Sequence, residues 1–439
     1  LELLDKHPFA ASRLAEYYFS DAKNAGVNVA QKQLKKIIDL EGKAEGVYDE
    51  NSYNTILQNV SLYICQRAQA LFAAGSYVDC CSLLQVLNDS RHKTERTLDL
   101  FCESRINQIF NDIRKTKVSN LSFTSLISDL KTEWNLGKNI QGVIAATKKL
   151  IDELINSKRF YAANSILTIT GDKASNSTVL DNATQIVKGN DKEASSLELR
   201  NTVSAHCKAI VLRAGISEGE AVSIFENCWK VSKDVSTLMD TLKSANPGIK
   251  EALINSIFNN HKKFLSDKKM LDEFSTWLRN GNEPEASLKN LEKLHKLGYN
   301  VENLYIDRLH TWIKTLAIDQ KVKYLDIAQV LFPDSKIVIE DKLECAKQYE
   351  SKGENDKAIN VADSIAKKCN EAYFVKAKSL YNKAQTANNT ELKESLLTNA
   401  LTAVKQVSGN LTNQLTDNIR NSLVDVANQY YPSQLDRAY

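Results

Sequence analysis

Residues 343–366 read LECAKQYESKGENDKAINVADSIA, and the spacing of their small and bulky residues predicts two helices joined by a tight turn. Ala346 and Ala358 are small enough to let the two helices approach closely, and Tyr349 is large enough to fill the space between them. Gly353 permits the first helix to end in a left-handed turn, and Ala362 follows on the second helix. The stretch is therefore predicted to fold as a helical hairpin.

The same spacing occurs twice more in the chain. One clear copy is at Ala68, Leu71, Gly75, Cys80 and Leu84. A weaker copy, with isoleucine for the small residue and lysine for the turn glycine, is at Ile151, Leu154, Lys158, Ala163 and Leu167. The two clear copies are not separated by a whole number of repeats of about 34 residues, so we expect a degenerate or interrupted array.

This spacing resembles the tetratricopeptide repeat, whose first helix carries the small and bulky residues, whose turn carries glycine and whose second helix carries alanine. Ala362 departs from the family, which usually has an aromatic ring at that position. The resemblance implies an α-solenoid of antiparallel helix pairs, a tetratricopeptide-like superhelix. The alternative is a series of ordinary helical hairpins that share a common turn.

Apolar residues recur three and four positions apart through most of the remaining chain. One such stripe consists of Leu253, Ile254, Ile257, Phe258, His261, Phe264 and Leu265. The alternation that is typical of strands, bounded by hairpin turns, does not occur in the sequence. We therefore predict an all-α protein of about twenty helices, each roughly 11 to 20 residues long.

The stretch from Gly171 to Ser196 is rich in small polar residues and has few apolar ones. It is predicted to be a polar loop or boundary between two helical repeat regions, an N-terminal one of residues 1–170 and a C-terminal one of residues 197–439. A second break is predicted between Arg279 and Pro284, where one helix would end and another begin.

The composition limits the classes of partner. The 439 residues include 57 Lys and Arg against 54 Asp and Glu, a formal net charge of +3. Such a small charge provides no general attraction for nucleic acid or anionic lipid. The apolar stretches are far shorter than the ~20 residues that span a bilayer, so no membrane span is predicted. Because the chain begins at Leu1 rather than Met, we expect a fragment or a processed product.

The eight cysteines and six histidines do not form a pattern typical of a disulfide scaffold or a zinc site. The cysteines are scattered among apolar residues, without a C-x-x-C pair, and the histidines are isolated. We therefore expect reduced thiols, no metal and no cofactor. Reduced thiols favour an intracellular protein in the cytoplasm, with the nucleus left open.

No motif in the sequence predicts an enzyme. The Walker, dinucleotide-binding and zinc-peptidase patterns do not occur. One G-x-S-x-G runs from Gly215 to Gly219, but a helical context precedes it, whereas a serine hydrolase needs a strand there. Ser217 with Glu220 fits a helix cap instead.

The resemblance implies a scaffold or adaptor that holds a protein or peptide partner along the first helices of its repeats, within a multi-subunit complex. The residues that flank the packing positions in the two clear copies are Cys65, Gln69, Phe72, Leu343, Lys347 and Glu350. Phe72 is a candidate anchor, with a buried core ring as the alternative. Members that clamp a chaperone's terminal carboxylate use Lys and Asn in such places, and here only Lys347 is of that kind.

Two other functions stay open. Positive charge is concentrated at His261, Lys262, Lys263, Lys268 and Lys269. This local basic patch is the basis for an alternative role as a helical nucleic-acid-associated factor, although interleaved carboxylates favour an ordinary solvated face. The other alternative is a regulatory helical domain of a longer enzyme.

Overall fold

The structure is a computed structural model that describes residues 9–41, 50–171, 175–407 and 412–430. These residues contain 23 helices and no strand, which confirms the all-α prediction. They divide into two compact units, residues 1–259 (unit 1) and residues 260–439 (unit 2).

Unit 1 has thirteen described helices. They are α1 (Ala10–Asn24), α2 (Val27–Asp39), α3 (Glu50–Ala73), α4 (Tyr77–Asn88), α5 (Glu95–Lys115), α6 (Leu121–Gly137), α7 (Gln141–Asn156), α8 (Phe160–Thr170), α9 (Ser175–Val187), α10 (Ser196–Val211), α11 (Glu218–Ser232), α12 (Val235–Ser244) and α13 (Pro247–Asn259).

Unit 2 has ten described helices. They are α14 (His261–Phe264), α15 (Lys268–Arg279), α16 (Pro284–Lys296), α17 (Glu302–Ile313), α18 (Ile318–Leu331), α19 (Lys336–Ser351), α20 (Asn355–Ile365), α21 (Asn370–Gln385), α22 (Thr390–Val404) and α23 (Asn413–Tyr430). The predicted break between Arg279 and Pro284 is confirmed.

Helices pack against near neighbours in the chain within each unit. Most consecutive helices contact each other, as α3 and α4 do, and many helices also contact the next but one, as α19 and α21 do. Short connections make such neighbours antiparallel. Because each helix covers its apolar face with its chain neighbours, the fold is an α-solenoid.

The predicted hairpin turns have one geometry. In all three copies three residues separate the end of the first helix from the start of the second. Gly75, Gly353 and Lys158 occupy the left-handed region, with φ of +76°, +77° and +60°. In the Gly353 turn its N–H donates to the Glu350 carbonyl at 3.0 Å, and the next N–H donates to the Tyr349 carbonyl at 3.0 Å. This is the Schellman arrangement, and the other two turns repeat it.

The packing positions of these hairpins are largely buried. Ala346, Ala358 and Tyr349 are each at most 2% exposed, as are Ala68 and Ala163. The helical hairpins are therefore confirmed, whereas membership of the tetratricopeptide family stays a prediction.

Polar side chains close several helix ends, and the sequence predicts one of these caps, at Ser217. Ser217 accepts a hydrogen bond from the Glu220 N–H at 3.2 Å, and Asn246 accepts one from the Ile249 N–H at 3.0 Å. Ser217 is thus a helix cap. The C-terminal end of α5 is closed by the buried Arg159, whose guanidinium donates to the carbonyl oxygens of Ile113, Arg114 and Thr116.

Most of the stretch from Gly171 to Ser196 is not a loop. Residues 175–187 form α9, and residues 172–174 lie outside the described ones. The polar turn after α9 is held by Asp191, whose carboxylate accepts the N–H groups of Tyr161, Glu193 and Ala194, each at 2.8 Å. The compact units divide elsewhere, between Asn259 and Asn260, which falls inside the stripe that starts at Leu253.

Candidate functional site

The three predicted partner-binding residues on α3 differ in exposure. Gln69 is exposed, whereas Cys65 and Phe72 are half-buried against the core of unit 1. The Phe72 ring meets the Tyr77 ring edge to face, with 5.4 Å between centroids. Phe72 therefore packs within its own hairpin, and its role as an anchor stays a prediction.

The three predicted residues on α19 lie beside α21. Leu343 is buried, Lys347 places its Nζ 2.6 Å from the Glu371 carboxylate, and Glu350 accepts hydrogen bonds from Lys378 and Asn382 at 3.1 Å. Both charges are already paired within unit 2. A partner that needed Lys347 would have to displace Glu371, so the cation is poorly suited to capture a carboxylate.

The basic patch consists of exposed lysines with neighbours of their own. His261 shares a hydrogen bond with the Tyr299 hydroxyl at 3.0 Å, and Lys269 lies 3.9 Å from Glu273. Lys263 lies over the Phe264 ring, 5.7 Å from its centroid. Lys262 and Lys268 are exposed. The structure places these charges on two successive helices, α14 and α15, and their function stays untested.

A groove that the sequence did not predict lies over α5 in unit 1. Its floor is one face of α5, one wall is α4 with a contribution from Gln31 on α2, and the other wall is α6. The first chamber has a volume of about 450 Å³ and is lined by Val78, Cys81, Ser82, Gln85, Phe101, Arg105, Gln108, Ile109 and Asp129. We call this site, with its continuation below, the α5 groove.

A second chamber continues the groove along α5 and α6. It has a volume of about 320 Å³ and is lined by Asp112, Lys115, Thr116, Ser122, Ser125 and Leu126. Gln108 of the first chamber and Asp112 of the second are one helical turn apart, and so are Asp129 and Ser125 on α6. The two chambers therefore follow one another along the same faces of α5 and α6.

The α5 groove exists because the stack is interrupted between α4 and α6. On either side, α2 packs on α4 and α6 packs on α8, yet α4 and α6, both fully described, do not pack closely on each other. Helix α4 has 12 residues and α5 has 21. The capping box between Thr94 and Thr97 starts α5, and because α5 is nine residues longer than the antiparallel α4, its last turns extend past the first residue of α4.

The charges along the groove are unequally paired. The Arg105 guanidinium donates to the Glu133 carboxylate across the α5–α6 seam at 2.9 Å, so its charge is neutralised locally. Asp112 accepts only the Gln108 amide, at 3.0 Å. Asp129 is exposed, and no cation among the described residues forms an ion pair with Asp129 or Asp112. Lys115 of the second chamber is exposed and likewise forms no ion pair among the described residues, so the groove has two carboxylates and one lysine available to charged groups of a partner.

The thiol in the groove is unsuited to nucleophilic chemistry. Burial raises the pKa of Cys81 to about 12, so the thiolate is scarce at neutral pH. Its Sγ lies 3.8 Å from the Phe101 carbonyl oxygen. Cys81 contributes an apolar surface to the groove wall.

The sequence contains a weak signal for this groove. Phe101, Arg105, Gln108, Asp112 and Lys115 recur at helical spacing on one face of α5. Such a mixed polar face is typical of any solvated helix, so the spacing does not distinguish a groove floor from an ordinary surface. What makes it a site is that α4 and α6 do not pack closely on each other.

Other features of the described residues are less suited to a partner. A cavity of about 400 Å³ in unit 2 is lined in part by His295, Tyr299 and Phe332, with the His295 and Phe332 rings 4.7 Å apart. No cluster of His, Cys, Asp or Glu in the described residues has the arrangement of a metal site. None of the described helices combines the length and the apolar character that crossing a membrane requires.

Comparisons with known proteins give structural neighbours without a family. No protein-family model matches the chain, and no curated protein matches it. A solved structure described as a circular tandem repeat protein with novel repeat topology and enhanced subunit contact surfaces is similar at 13% identity, covering 100% of this chain and 91% of that one, with a TM-score of 0.13. A second, from the computational design of self-assembling cyclic protein homooligomers, is similar at 11% identity, covering 71% of this chain and 99% of that one, with a TM-score of 0.10. At these TM-scores neither structure bears on the function of the chain.

Proposed function

We propose that this protein is a non-catalytic scaffold that binds a segment of a partner protein on its helical-repeat surface, within a larger assembly. The observation that carries the proposal is the α5 groove, an elongated opening whose mostly polar lining includes an apolar end at Val78, Phe101 and Ile109. Such clefts between helices are typical docking sites for peptide segments. The three shared hairpin turns support a tetratricopeptide-like repeat.

The chemistry of the groove favours binding over catalysis. Its thiol is held protonated by burial, and Arg105 is paired with Glu133. Glutamine amides and serine hydroxyls make up most of the remaining polar lining, and these groups form hydrogen bonds without activating a reactant. The eight free cysteines support a reducing, intracellular location.

The test is affinity capture of the tagged full chain from its native lysate, with nuclease treatment and a salt series, followed by mass spectrometry. We expect a stoichiometric protein partner that survives both treatments. Recovery of nucleic acid alone, lost as salt is raised or on charge reversal of Lys262 and Lys263, would instead support the basic-patch alternative. Capture of no protein at all would refute the scaffold.

A further inference from the structure

The α5 groove has features that define the class of segment it would take. We propose that it binds a partner segment in extended conformation, with one large apolar side chain in the first chamber and a Lys or Arg near Asp129. This inference rests on the proposed scaffold function and names the chemistry of the partner. Three properties of the groove carry it: its length, its polar lining and its charge.

The length fits a short extended peptide. From Phe101 to Lys115 the floor of the groove follows fourteen residue steps of α5, about 21 Å at 1.5 Å per residue. An extended chain advances about 3.3 Å per residue, so six or seven residues would fill the groove.

The polar lining favours an extended segment over a helix. Gln85 and Gln108 donate their amide groups to Asp89 and Asp112, which leaves their side-chain carbonyl oxygens as acceptors. Ser82 donates its hydroxyl to the Val78 carbonyl at 3.0 Å and likewise keeps lone pairs for an incoming donor. An extended main chain brings unpaired N–H groups, whereas a helix has already paired its own. Acceptors along the wall therefore match an extended chain.

The apolar end of the groove supplies an anchor. Val78 is 59% exposed on the α4 wall, the Phe101 ring is half-buried in the floor, and Ile109 is 8% exposed beneath. A leucine-sized or aromatic side chain seated there would cover apolar surface that now faces water. Such a contact would provide most of the binding energy.

The charge gives the partner its sign. In the first chamber Arg105 is neutralised by Glu133, and Asp129 has no ion-pair partner among the residues described. In the second chamber Asp112 lies beside Lys115, so the charges there offset each other. A basic side chain one or two residues from the anchor would reach Asp129, and an acidic one would be repelled. The first chamber therefore selects apolar segments that carry a Lys or Arg.

The test pans a phage-displayed library of random dodecapeptides against the full chain and measures synthetic copies of the enriched peptides by fluorescence anisotropy. The groove variant is Val78→Arg, and its matched control is Leu62→Arg on α3, because Leu62 is 57% exposed and lies outside the groove. We expect enriched peptides with an apolar residue close to a Lys or Arg, and at least a tenfold loss of affinity in Val78→Arg alone. Circular dichroism checks that both variants remain helical.

Charge and conformation have separate readouts. Asp129→Asn should lower the affinity for the basic peptides up to about fivefold and make that affinity less dependent on salt. Asp152 is an exposed aspartate on α7, outside the groove, and Asp152→Asn should change neither the affinity nor its salt dependence. A proline scan of the peptide should leave some central positions tolerant, since proline suits an extended chain and breaks a helix.

Several outcomes would overturn the inference. These are no enrichment, enrichment that Val78→Arg leaves intact, acidic peptides, or a proline scan that abolishes binding at every central position. A stoichiometric protein captured from lysate whose binding survives Val78→Arg would overturn the groove while leaving the scaffold function standing. The two proposals can therefore fail separately.

Discussion

Replacing Lys158 by glycine should stabilise the α7–α8 hairpin. Lys158 stands at the turn where the other two hairpins have glycine, and it adopts the same left-handed conformation, with φ of +60°. Its side chain is exposed, and no ion pair involves it among the described residues. Its N–H donates to the Ile155 carbonyl at 3.0 Å, and its carbonyl accepts the Lys192 N–H at 2.9 Å. Glycine keeps both main-chain bonds.

The expected gain follows from two opposing terms. The left-handed conformation costs a residue with a side chain roughly 1–2 kcal/mol, and glycine does not incur this cost. Glycine loses more conformational freedom on folding, which takes back about 0.4–1 kcal/mol. The net stabilisation of Lys158→Gly is therefore about 0.5–1 kcal/mol.

Hydrogen-exchange mass spectrometry of the hairpin is the appropriate assay, because a long helical array need not unfold in one step. A gain of this size slows hydrogen exchange by about two- to fivefold for those amides of α7 and α8 that exchange through local opening. Lys158→Ala is the control, since alanine keeps the cost of the left-handed conformation and should leave exchange nearly unchanged.

Replacing a turn glycine by a residue with a side chain provides a second control. At Gly353, a Cβ would meet no atom within 4 Å, so Gly353→Ala should destabilise the α19–α20 hairpin through backbone conformation alone, by about 1 kcal/mol. The reasoning is refuted if Lys158→Gly speeds exchange, or if it matches Lys158→Ala.

Three further predictions concern stability. Arg159→Leu removes donors to three carbonyls at the end of α5 and should cost about 2–4 kcal/mol of local stability, measured as faster hydrogen exchange of amides in α5 and α8. The side chain of Lys342 is 1% exposed, and its Nζ lies 2.6 Å from the carboxylate of Asp326, whose side chain is 57% exposed. Lys342→Met should change the free energy of unfolding by less than about 1 kcal/mol, because the Asp326 carboxylate remains hydrated. A cost above about 3 kcal/mol would contradict this prediction. Hydrogen bonding to Lys357 lowers the pKa of the Asp319 carboxyl in the folded protein. The ionised carboxylate therefore contributes its full stabilisation above the ordinary pKa of 3.8, and this stabilisation is lost as the pH falls through the lowered pKa of the folded state. Asp319→Asn should therefore make the melting temperature less dependent on pH below 3.8, and an unchanged pH profile would count against the assignment.

The parts of the fold that the sequence predicts are those set by local spacing. The turn glycines at 75 and 353 and the cap at Ser217 each depend on residues within one or two helical turns, and the structure has them where the pattern places them. The surface chemistry of α19 was not predictable in the same way. Lys347 is neutralised by Glu371, 24 residues later on another helix, and nothing in the spacing of either helix indicates that pairing.

The α5 groove shows why a binding site in such an array is difficult to predict from the sequence. In a regular solenoid each helix covers its neighbours, and a face is left open only where the lengths or positions of successive helices differ. Here α4 and α6 do not pack closely on each other, which leaves α5 open between them at the first chamber, and the 12-residue α4 stops short of the 21-residue α5 at the second. The polar and charged residues that line this opening keep it compatible with water in the absence of a partner, and the same residues supply the acceptors and the carboxylate that an extended basic segment would use. The separation of α4 from α6, together with the difference in length between α4 and α5, is therefore the structural cause of the site. The polar side chains of the site are explained both by the need for solubility and by binding.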